Sequence, residues 1–366
     1  EKIGGEIIRQ KYLIKPRADF ACIQRCGRYT CVNEGPYAYP PAGSPEFESQ
    51  SALGSRCGIS NIEAVLYAHY LCNAYGLDTI STGATISWAM ECYEKGIITK
   101  EDTDGLELKW GNSDALIELI KKIAKREGFG NVLAEGSYKA SKIIGRGSED
   151  YVMHVKKLEI AAQDGRAQKS MGLAHVTSAR GADHLYAFPV LDEVGFQETI
   201  KQRFGEKYLP EIADRLNPKY KGFMVKECED FMVVVESVGV CKYGTQIPPA
   251  LYYDDIARTL NVVCGFNISE EGLRRIGERI VNLNRLFNAR EGISRKDDVL
   301  PDRFTKEPMP RGPSKGQVVE LEKMLSEYYE YRGWDKKTGL PTKRKLKELG
   351  LEWAISEAEK IQTIPE

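Results

Sequence analysis

The sequence has almost no net charge, no long apolar run and no secretion signal. Its 52 Lys and Arg side chains are balanced by 53 Asp and Glu side chains, for a net charge of -1. This balance gives no electrostatic reason to expect nucleic acid or an anionic membrane as a partner. Apolar runs such as FMVVV at residues 231–235 are far too short to cross a bilayer. With no signal peptide before the first residues, we expect a cytoplasmic protein.

Histidine is scarce and the cysteine count is odd. The chain has four histidines and nine cysteines in 366 residues. An odd number of cysteines without a secretion signal argues against a disulfide framework, so we expect reduced thiols, some buried and some available as metal ligands. Internal repeats and low-complexity tracts are also lacking, and the length predicts two domains or one large one.

Apolar residues recur at helical spacing along most of the chain and predict a mainly helical protein. The clearest segment is 61–76, in which Asn61 is a candidate N-cap and Gly76 a candidate stop. Residues 36–60, rich in Pro, Gly and Ser, predict a long irregular loop, and only residues 152–160 resemble a strand. Further helices are predicted at about 83–96, 113–126, 130–144, 195–204, 225–239, 251–263, 269–288, 315–330 and 343–350.

The stretch RADFACIQRCGRYTC places Cys22, Cys26 and Cys31 within ten positions, with Asp19 just before them. An iron-sulfur cluster needs four ligands, and Cys241 is a remote candidate for the fourth. Two other interpretations remain open. The thiols could be small buried apolar side chains, or the three cysteines could form a zinc site.

Longer runs of the sequence resemble a known family. They are SPEFESQSALGSRCGISNIEAVLYAHYLCNAYGLDTISTG, AMECYEKGII, RIGERIVNLNRLFN, LPDRF, EPMPRGPSKG and YYEYRGW. Together they resemble the aldehyde ferredoxin oxidoreductases, the tungsten-pterin enzymes of anaerobes, over nearly the whole chain. The resemblance implies a β-rich N-terminal domain followed by two mostly helical domains, and this chain matches only the helical part. We divide it into a first domain at 1–150 and a second at 151–366.

The resemblance implies a [4Fe-4S] cluster. The family motif C-x2-C-x3-C-G-R falls on Asp19, Cys22 and Cys26, and the remote family cysteine falls on Cys241. Asp19 stands where the family has its first cysteine, which leaves three alternatives: a carboxylate ligand, a three-iron cluster or a lost cluster. A carboxylate is a harder donor than a thiolate and suits iron less well. We favour Asp19 as a ligand and interpret Cys31 as structural, although Cys31 could substitute for the missing thiolate.

The resemblance also implies a tungsten or molybdenum bis-pterin cofactor. The paired family motif D-x-x-G-L-[CD] matches NAYGLD and ESVGVC, although a glycine that stops a helix would account for either motif alone. Asp164 and Arg166 in DGRA match a further stretch near the pterin, which is usually D-P-R-G, so we give them a lesser role. The cofactor-binding residues predicted from the paired motifs are Asn73, Gly76, Leu77, Asp78, Glu236, Gly239, Val240 and Lys242.

The family's active-site glutamate and histidine fall on Glu48 and His184. A carboxylate base and an imidazole beside the carbonyl oxygen suit the oxidation of an aldehyde to an acid. Tyr67 and Tyr70 replace the family's E-x-x-H, so we expect no bridging iron between subunits. His69, next to that position, is expected to lie in the core.

We therefore expect an aldehyde-oxidising component that passes electrons to ferredoxin and works with a domain or subunit supplying the missing N-terminal part. It could also form a homodimer. The alternatives are an electron-transfer or assembly subunit without pterin, and a divergent member that acts on another carbonyl or carboxylate substrate.

Overall fold

The computed structural model describes residues 2–22, 24–361 and 363–366. The chain divides into two compact units, Glu1–Ala162 (unit 1) and Gln163–Glu366 (unit 2). Helices dominate both units, so the prediction of a mainly helical fold is confirmed. In the described part of the chain, no helix is long and apolar enough to span a membrane.

Unit 1 combines a small sheet with a helical body. Its three-stranded antiparallel sheet has the order β1-β2-β3, and a separate two-stranded hairpin pairs β4 with β5. The strands are β1 (Leu13–Arg17), β2 (Gly27–Val32), β3 (Tyr39–Gly43), β4 (His154–Val155) and β5 (Leu158–Glu159). The helices are α1 (Gly5–Lys11), α2 (Phe47–Leu53), α3 (Ile62–Tyr75), α4 (Thr79–Glu94), α5 (Ser113–Lys125), α6 (Phe129–Leu133) and α7 (Gly136–Ile144).

Two sequence predictions for unit 1 were wrong. The three-stranded sheet was not predicted, because Pro16 lies in β1 and Pro40 and Pro41 lie in β3. Proline cannot donate a ladder hydrogen bond, but both strands lie at the edges of the sheet, where proline is tolerated. The supposed loop at 36–60 contains β3 and α2, so it is largely regular structure.

The apolar core of unit 1 forms where α3, α4 and α5 present their buried faces. Ile62, Val65 and Leu66 of α3 and Leu116 and Ile120 of α5 belong to one buried cluster. Asn61 caps α3 as predicted: its side chain accepts hydrogen bonds from the amides of Glu63 and Ala64. This packing fixes the C-terminal end of α3 and the start of α4, where the predicted first pterin motif lies.

Unit 2 is a helical bundle in which α11 is the central element. α11 packs against α8, α14 and α16. The helices are α8 (Lys169–Thr177), α9 (Leu191–Val194), α10 (Gln197–Phe204), α11 (Lys221–Ser237), α12 (Tyr243–Gln246), α13 (Tyr253–Cys264), α14 (Glu270–Arg290), α15 (Asp302–Thr305), α16 (Leu321–Arg332), α17 (Lys343–Glu348) and α18 (Glu352–Glu359).

α11 is buried on nearly every side, and α14 approaches it closely. A Cβ added to Gly277 of α14 would lie 2.2 Å from the carbonyl oxygen of Asp230, so only glycine fits at this crossing. Charged groups are also buried beside α11. The Arg332 guanidinium bonds both Glu229, at 2.6 Å, and Asp230, and the Tyr328 hydroxyl donates to Glu229. These contacts satisfy groups that would otherwise be costly to bury.

Candidate functional site

The loop between β1 and β2 carries the predicted local cluster ligands. The amide of Cys22 donates to the carbonyl of Asp19 at 3.1 Å, which closes a turn between them. Asp19 and Cys26 are exposed and Cys22 is half-buried, so packing does not enclose these side chains. Within either unit, the described residues contain no group of three or more His, Cys, Asp or Glu side chains placed to hold a metal ion. The thiolates suit iron and the Asp19 carboxylate suits it less well, and the cluster remains a prediction.

The cluster loop and the first pterin motif share a cavity. Asp19, Cys26 and Asn73 line this space of about 340 Å³ in unit 1. The same wall includes His69, whose burial lowers its pKa to about 4 and keeps the imidazole neutral. The structure thus brings two predicted ligands and one predicted pterin-binding residue together. His69 was expected in the core but is half-buried at this cavity.

The remaining cysteines separate into buried and exposed groups. Burial raises the pKa of Cys57, Cys72 and Cys92 to about 12, and it also raises that of Cys228, so these thiols stay protonated. Cys31 lies on β2, and its thiol donates to the side-chain oxygen of Asn33 at 3.3 Å. That contact is consistent with the structural role predicted for Cys31.

The first pterin motif, NAYGLD, forms the end of α3. Gly76 has φ +70°, its amide donates to the carbonyl of Asn73, and the amide of Leu77 donates to that of Cys72 at 2.8 Å. Asp78 then caps α4 by accepting from the amide of Ser81 at 2.6 Å. A Cβ at Gly76 would meet nothing within 4 Å.

The second motif, ESVGVC, forms the end of α11 in the same way. Gly239 has φ +72°, its amide donates to Glu236, and the amide of Val240 donates to Val235 at 3.2 Å. Here too a Cβ on the glycine would meet nothing within 4 Å. Cys241, at the end of the motif, is exposed. Both predicted motifs therefore end a helix with the same glycine cap, and their pterin-binding role stays a prediction.

Lys242 connects the second motif to the loop that carries His184. Its ammonium lies 2.7 Å from the carboxylate of Glu236 and donates to the carbonyl of Leu185 at 2.5 Å. Asp183 accepts from the amide of Leu185 at 2.8 Å and pairs with Arg180. These bonds fix the backbone on both sides of His184, which is buried.

A second histidine of unit 2, His175, lies near His184. His175 is 1% exposed, and its Nε2 lies 3.3 Å from the carbonyl oxygen of Gln163. Burial lowers the pKa of His175 to about 4, and the charge of His184 lowers it further. The imidazole of His175 is therefore neutral at pH 7.

Glu48 lies in the first turn of α2 and is buried. Its Oε2 accepts a hydrogen bond from the amide of Ala162 at 2.8 Å, so the end of unit 1 holds the carboxylate. The next residue, Ser49, shares a 2.7 Å hydrogen bond with Thr79 at the start of α4. α2 therefore places Glu48 next to the helix that begins at the first pterin motif.

Arg166 is buried and forms an ion pair with the half-buried Asp164. The Arg166 side chain makes a bidentate pair with Asp164, with contacts of 3.0 and 2.7 Å, and donates to the carbonyls of Arg303 and Glu307. The guanidinium thus holds α15 and the residues just after it. Its cofactor-binding role stays a prediction.

Tyr67 and Tyr70, which replace the family's E-x-x-H, belong to an aromatic stack. Their ring centroids are 6.2 Å apart, and Tyr70 also stacks on Tyr39 of β3 at 5.3 Å.

Sequence reasoning gave no role to Arg56, Arg180 or Asp183. No motif marks them, because each acts through contacts with backbone or side chains that only the fold brings near.

Comparisons with known proteins agree on one family. The model of "Aldehyde ferredoxin oxidoreductase, domains 2 & 3" matches residues 1–351. The tungsten-containing aldehyde ferredoxin oxidoreductase of Pyrococcus furiosus is 40% identical over 350 residues, which cover 95% of this chain and 54% of the relative. The aliphatic sulfonate oxidoreductase, WOR-like subunit, of the same organism is 32% identical and covers 94% of this chain and 52% of its own length.

A solved structure has the same fold. The active-site complex BamBC of benzoyl coenzyme A reductase matches 97% of this chain and 55% of its own chain with a TM-score of 0.78 and 23% identity. The chain therefore spans about half the length of the relatives it matches.

Proposed function

This chain belongs to the aldehyde ferredoxin oxidoreductase family, an oxidoreductase family, and we propose that it is the helical, cofactor-binding part of a tungsten-pterin enzyme that oxidises an aldehyde. The observation that carries the proposal is the match of the family model to residues 1–351, and the position of the two motifs at the helix ends of Gly76 and Gly239, one in each unit, supports it. The matched family model covers domains 2 and 3, and the relatives are almost twice as long. We propose that a separate domain or subunit supplies the remaining part of the cofactor site.

The chemistry requires proton handling as well as electron transfer. An aldehyde and water give a carboxylic acid, two protons and two electrons. A tungsten or molybdenum bis-pterin, held by residues 73–78 and 236–242, would accept the two electrons. In this proposal Glu48 is the base that takes a proton from the attacking water, and the Ala162 amide orients its carboxylate. His184 donates a hydrogen bond to the carbonyl oxygen, where negative charge develops.

Electrons would leave through a [4Fe-4S] cluster held by Asp19, Cys22, Cys26 and Cys241. The family motif that falls on these residues supports this assignment, and Asp19 and Cys26 line the same cavity of unit 1. Ferredoxin is the proposed acceptor. One relative of this chain is itself named as a subunit, which supports a multi-component enzyme.

The test uses the assembled enzyme with an aldehyde and a viologen dye as electron acceptor. Glu48→Gln and His184→Gln should each lower kcat by about 100-fold or more, since each removes one acid-base group. Glu357→Gln, at an exposed ion pair, and His154→Gln, in unit 1, are the matched controls. Wild-type turnover in both Glu48→Gln and His184→Gln would contradict the enzymatic assignment and leave a non-catalytic subunit. The chain assayed without its partner should be inactive.

A further inference from the structure

The carboxylate of Glu48 rests on a backbone segment that has its own support. The Arg56 guanidinium donates to the carbonyl of Ile160 at 2.8 Å and to that of Ala161 at 2.7 Å. The next amide, that of Ala162, donates to Glu48 Oε2 at 2.8 Å. The Ala161 carbonyl and the Ala162 amide belong to one peptide unit, so Arg56 holds both the unit that bonds Glu48 and the unit before it.

Further hydrogen bonds hold Glu159 and Ile160, at the start of the same backbone segment. The carboxylate of Glu159 is buried and accepts from the amide and the hydroxyl of Ser137, at 2.8 and 2.7 Å. The amide of Ile160 donates to the carbonyl of Met153 at 3.0 Å. The segment 159–162 is thus held at each residue, and Arg56 holds the part nearest to Glu48.

Arg56 also interacts electrostatically with the two nearby carboxylates. The positive charge of Arg56 attracts the charges of Glu48 and Glu159. Both carboxylates are buried, and a nearby cation offsets part of what their burial costs. A planar guanidinium can bond two carbonyls at once, whereas a lysine ammonium at the same place would act as a single point charge.

We propose that Arg56 is the positioning residue of the Glu48 base: it sets the Ile160–Ala162 backbone so that the Ala162 amide holds the carboxylate in its reactive orientation. This inference rests on the proposed function of Glu48. Arg56 acts through the peptide backbone and touches no reacting group. Its loss misplaces the base without removing it.

The experiment compares Arg56→Met, Arg56→Lys and Glu48→Gln with Arg146→Met, which removes an exposed arginine paired with Asp102. Hydrogen exchange of residues 158–164 is measured by mass spectrometry on the 366-residue chain. Kinetics are measured on the assembled enzyme. We expect Arg56→Met to speed amide exchange in this segment about tenfold, because its hydrogen bonds open more often. We also expect kcat to fall about 10- to 100-fold with KM within about twofold, and Arg56→Lys to lie in between.

The split between kcat and KM separates positioning from simple structural support. A misplaced base lowers kcat and leaves KM unchanged, whereas a general loss of structure would also raise KM, and Arg56→Lys should restore part of kcat. If Arg56→Met does not fold, Arg56→Lys alone must still show faster exchange and a lower kcat.

Three results would overturn the proposal: exchange that matches the Arg146→Met control, faster exchange with wild-type kcat, or a fall in kcat of Arg56→Met that comes with an equally large rise in KM. Full turnover in Glu48→Gln would instead defeat the proposed role of Glu48 as the base, on which this inference rests. That outcome is recognisable because the exchange response to Arg56→Met would be unaffected.

Discussion

Gly76 and Gly239 end their helices with the same hydrogen bonds. In each case the glycine amide donates to the carbonyl three residues back, and the next amide donates to the carbonyl five residues back. The two φ angles, +70° and +72°, agree closely. NAYGLD and ESVGVC thus end their helices with the same glycine cap, which also follows the helices before Gly96 and Gly333.

These caps predict a cost for any side chain with a Cβ. Gly76→Ala and Gly239→Ala should each lower the free energy of unfolding by about 1 kcal/mol, because a left-handed backbone is strained for alanine. Gly76→Asn should cost less, since asparagine tolerates this conformation. Gly244→Ala is the control, because its added Cβ meets nothing within 4 Å and its backbone is not left-handed. Equal stability of all variants in urea unfolding would contradict the cap assignment.

The buried charges beside α11 predict a larger effect. Arg332 is fully buried and pairs with Glu229 and Asp230. Arg332→Met should lower the free energy of unfolding by about 3–5 kcal/mol, because two carboxylates would remain buried without their cation. Lys336→Ala, which breaks the exposed pair with Glu330, should change it by less than about 1 kcal/mol. Chemical denaturation measures both, and similar losses would show that burial of the pair does not matter.

His175 predicts a pH dependence of stability. Its pKa is lowered to about 4 by burial, below the ordinary value near 6.5. Between these values the unfolded chain binds a proton that the folded chain does not, so stability falls as the pH decreases from about 6.5 to 4. Over this pH range, His175 accounts for a loss on the order of 3 kcal/mol in the free energy of unfolding.

Urea unfolding at pH 7, 5.5 and 4.5 measures the effect. His175→Gln should lose less stability than the wild type across this range, since glutamine does not titrate. The same acid loss in both proteins would mean that other groups, such as His69, carry the dependence.

Asp19 is expected to bind iron more weakly than the cysteine ligands of the predicted cluster. Asp19→Cys should raise the iron retained after anaerobic reconstitution, because thiolate is the preferred donor, and Asp19→Ala should lower it. Cys31→Ser, at the thiol that bonds Asn33, should leave the iron content unchanged. Loss of iron only in Cys31→Ser would transfer the ligand role from Asp19 to Cys31.

Long periodic helices were predictable, and short irregular elements were not. The predicted helix at 61–76 corresponds to α3, Ile62–Tyr75, because its cap, its apolar face and its stop glycine all agree. The predicted helix at 130–144 is two helices, α6 and α7, that meet at Ala134 and Glu135. The small sheet was missed because its edge strands contain proline and charged residues and lack the alternation of a half-buried strand.

The residues of the candidate site also fall into a predictable group and an unpredictable one. Motifs that are contiguous in sequence, such as NAYGLD, could be recognised and their caps expected. Arg56 could not, because its two acceptors lie 104 and 105 residues away in the sequence and are backbone carbonyls without any residue signature. The cavity that joins Asp19 and Cys26 to Asn73 likewise depends on how the sheet packs on α3.

The most direct test of the account is metal analysis of the anaerobically purified complex, counting tungsten, molybdenum and iron per copy of this chain. The account predicts about one tungsten or molybdenum and about four irons per chain, and it predicts fewer irons per chain in Cys26→Ser. Iron without tungsten or molybdenum would contradict the pterin assignment of the two caps, and a complex without any of these metals would contradict the whole account.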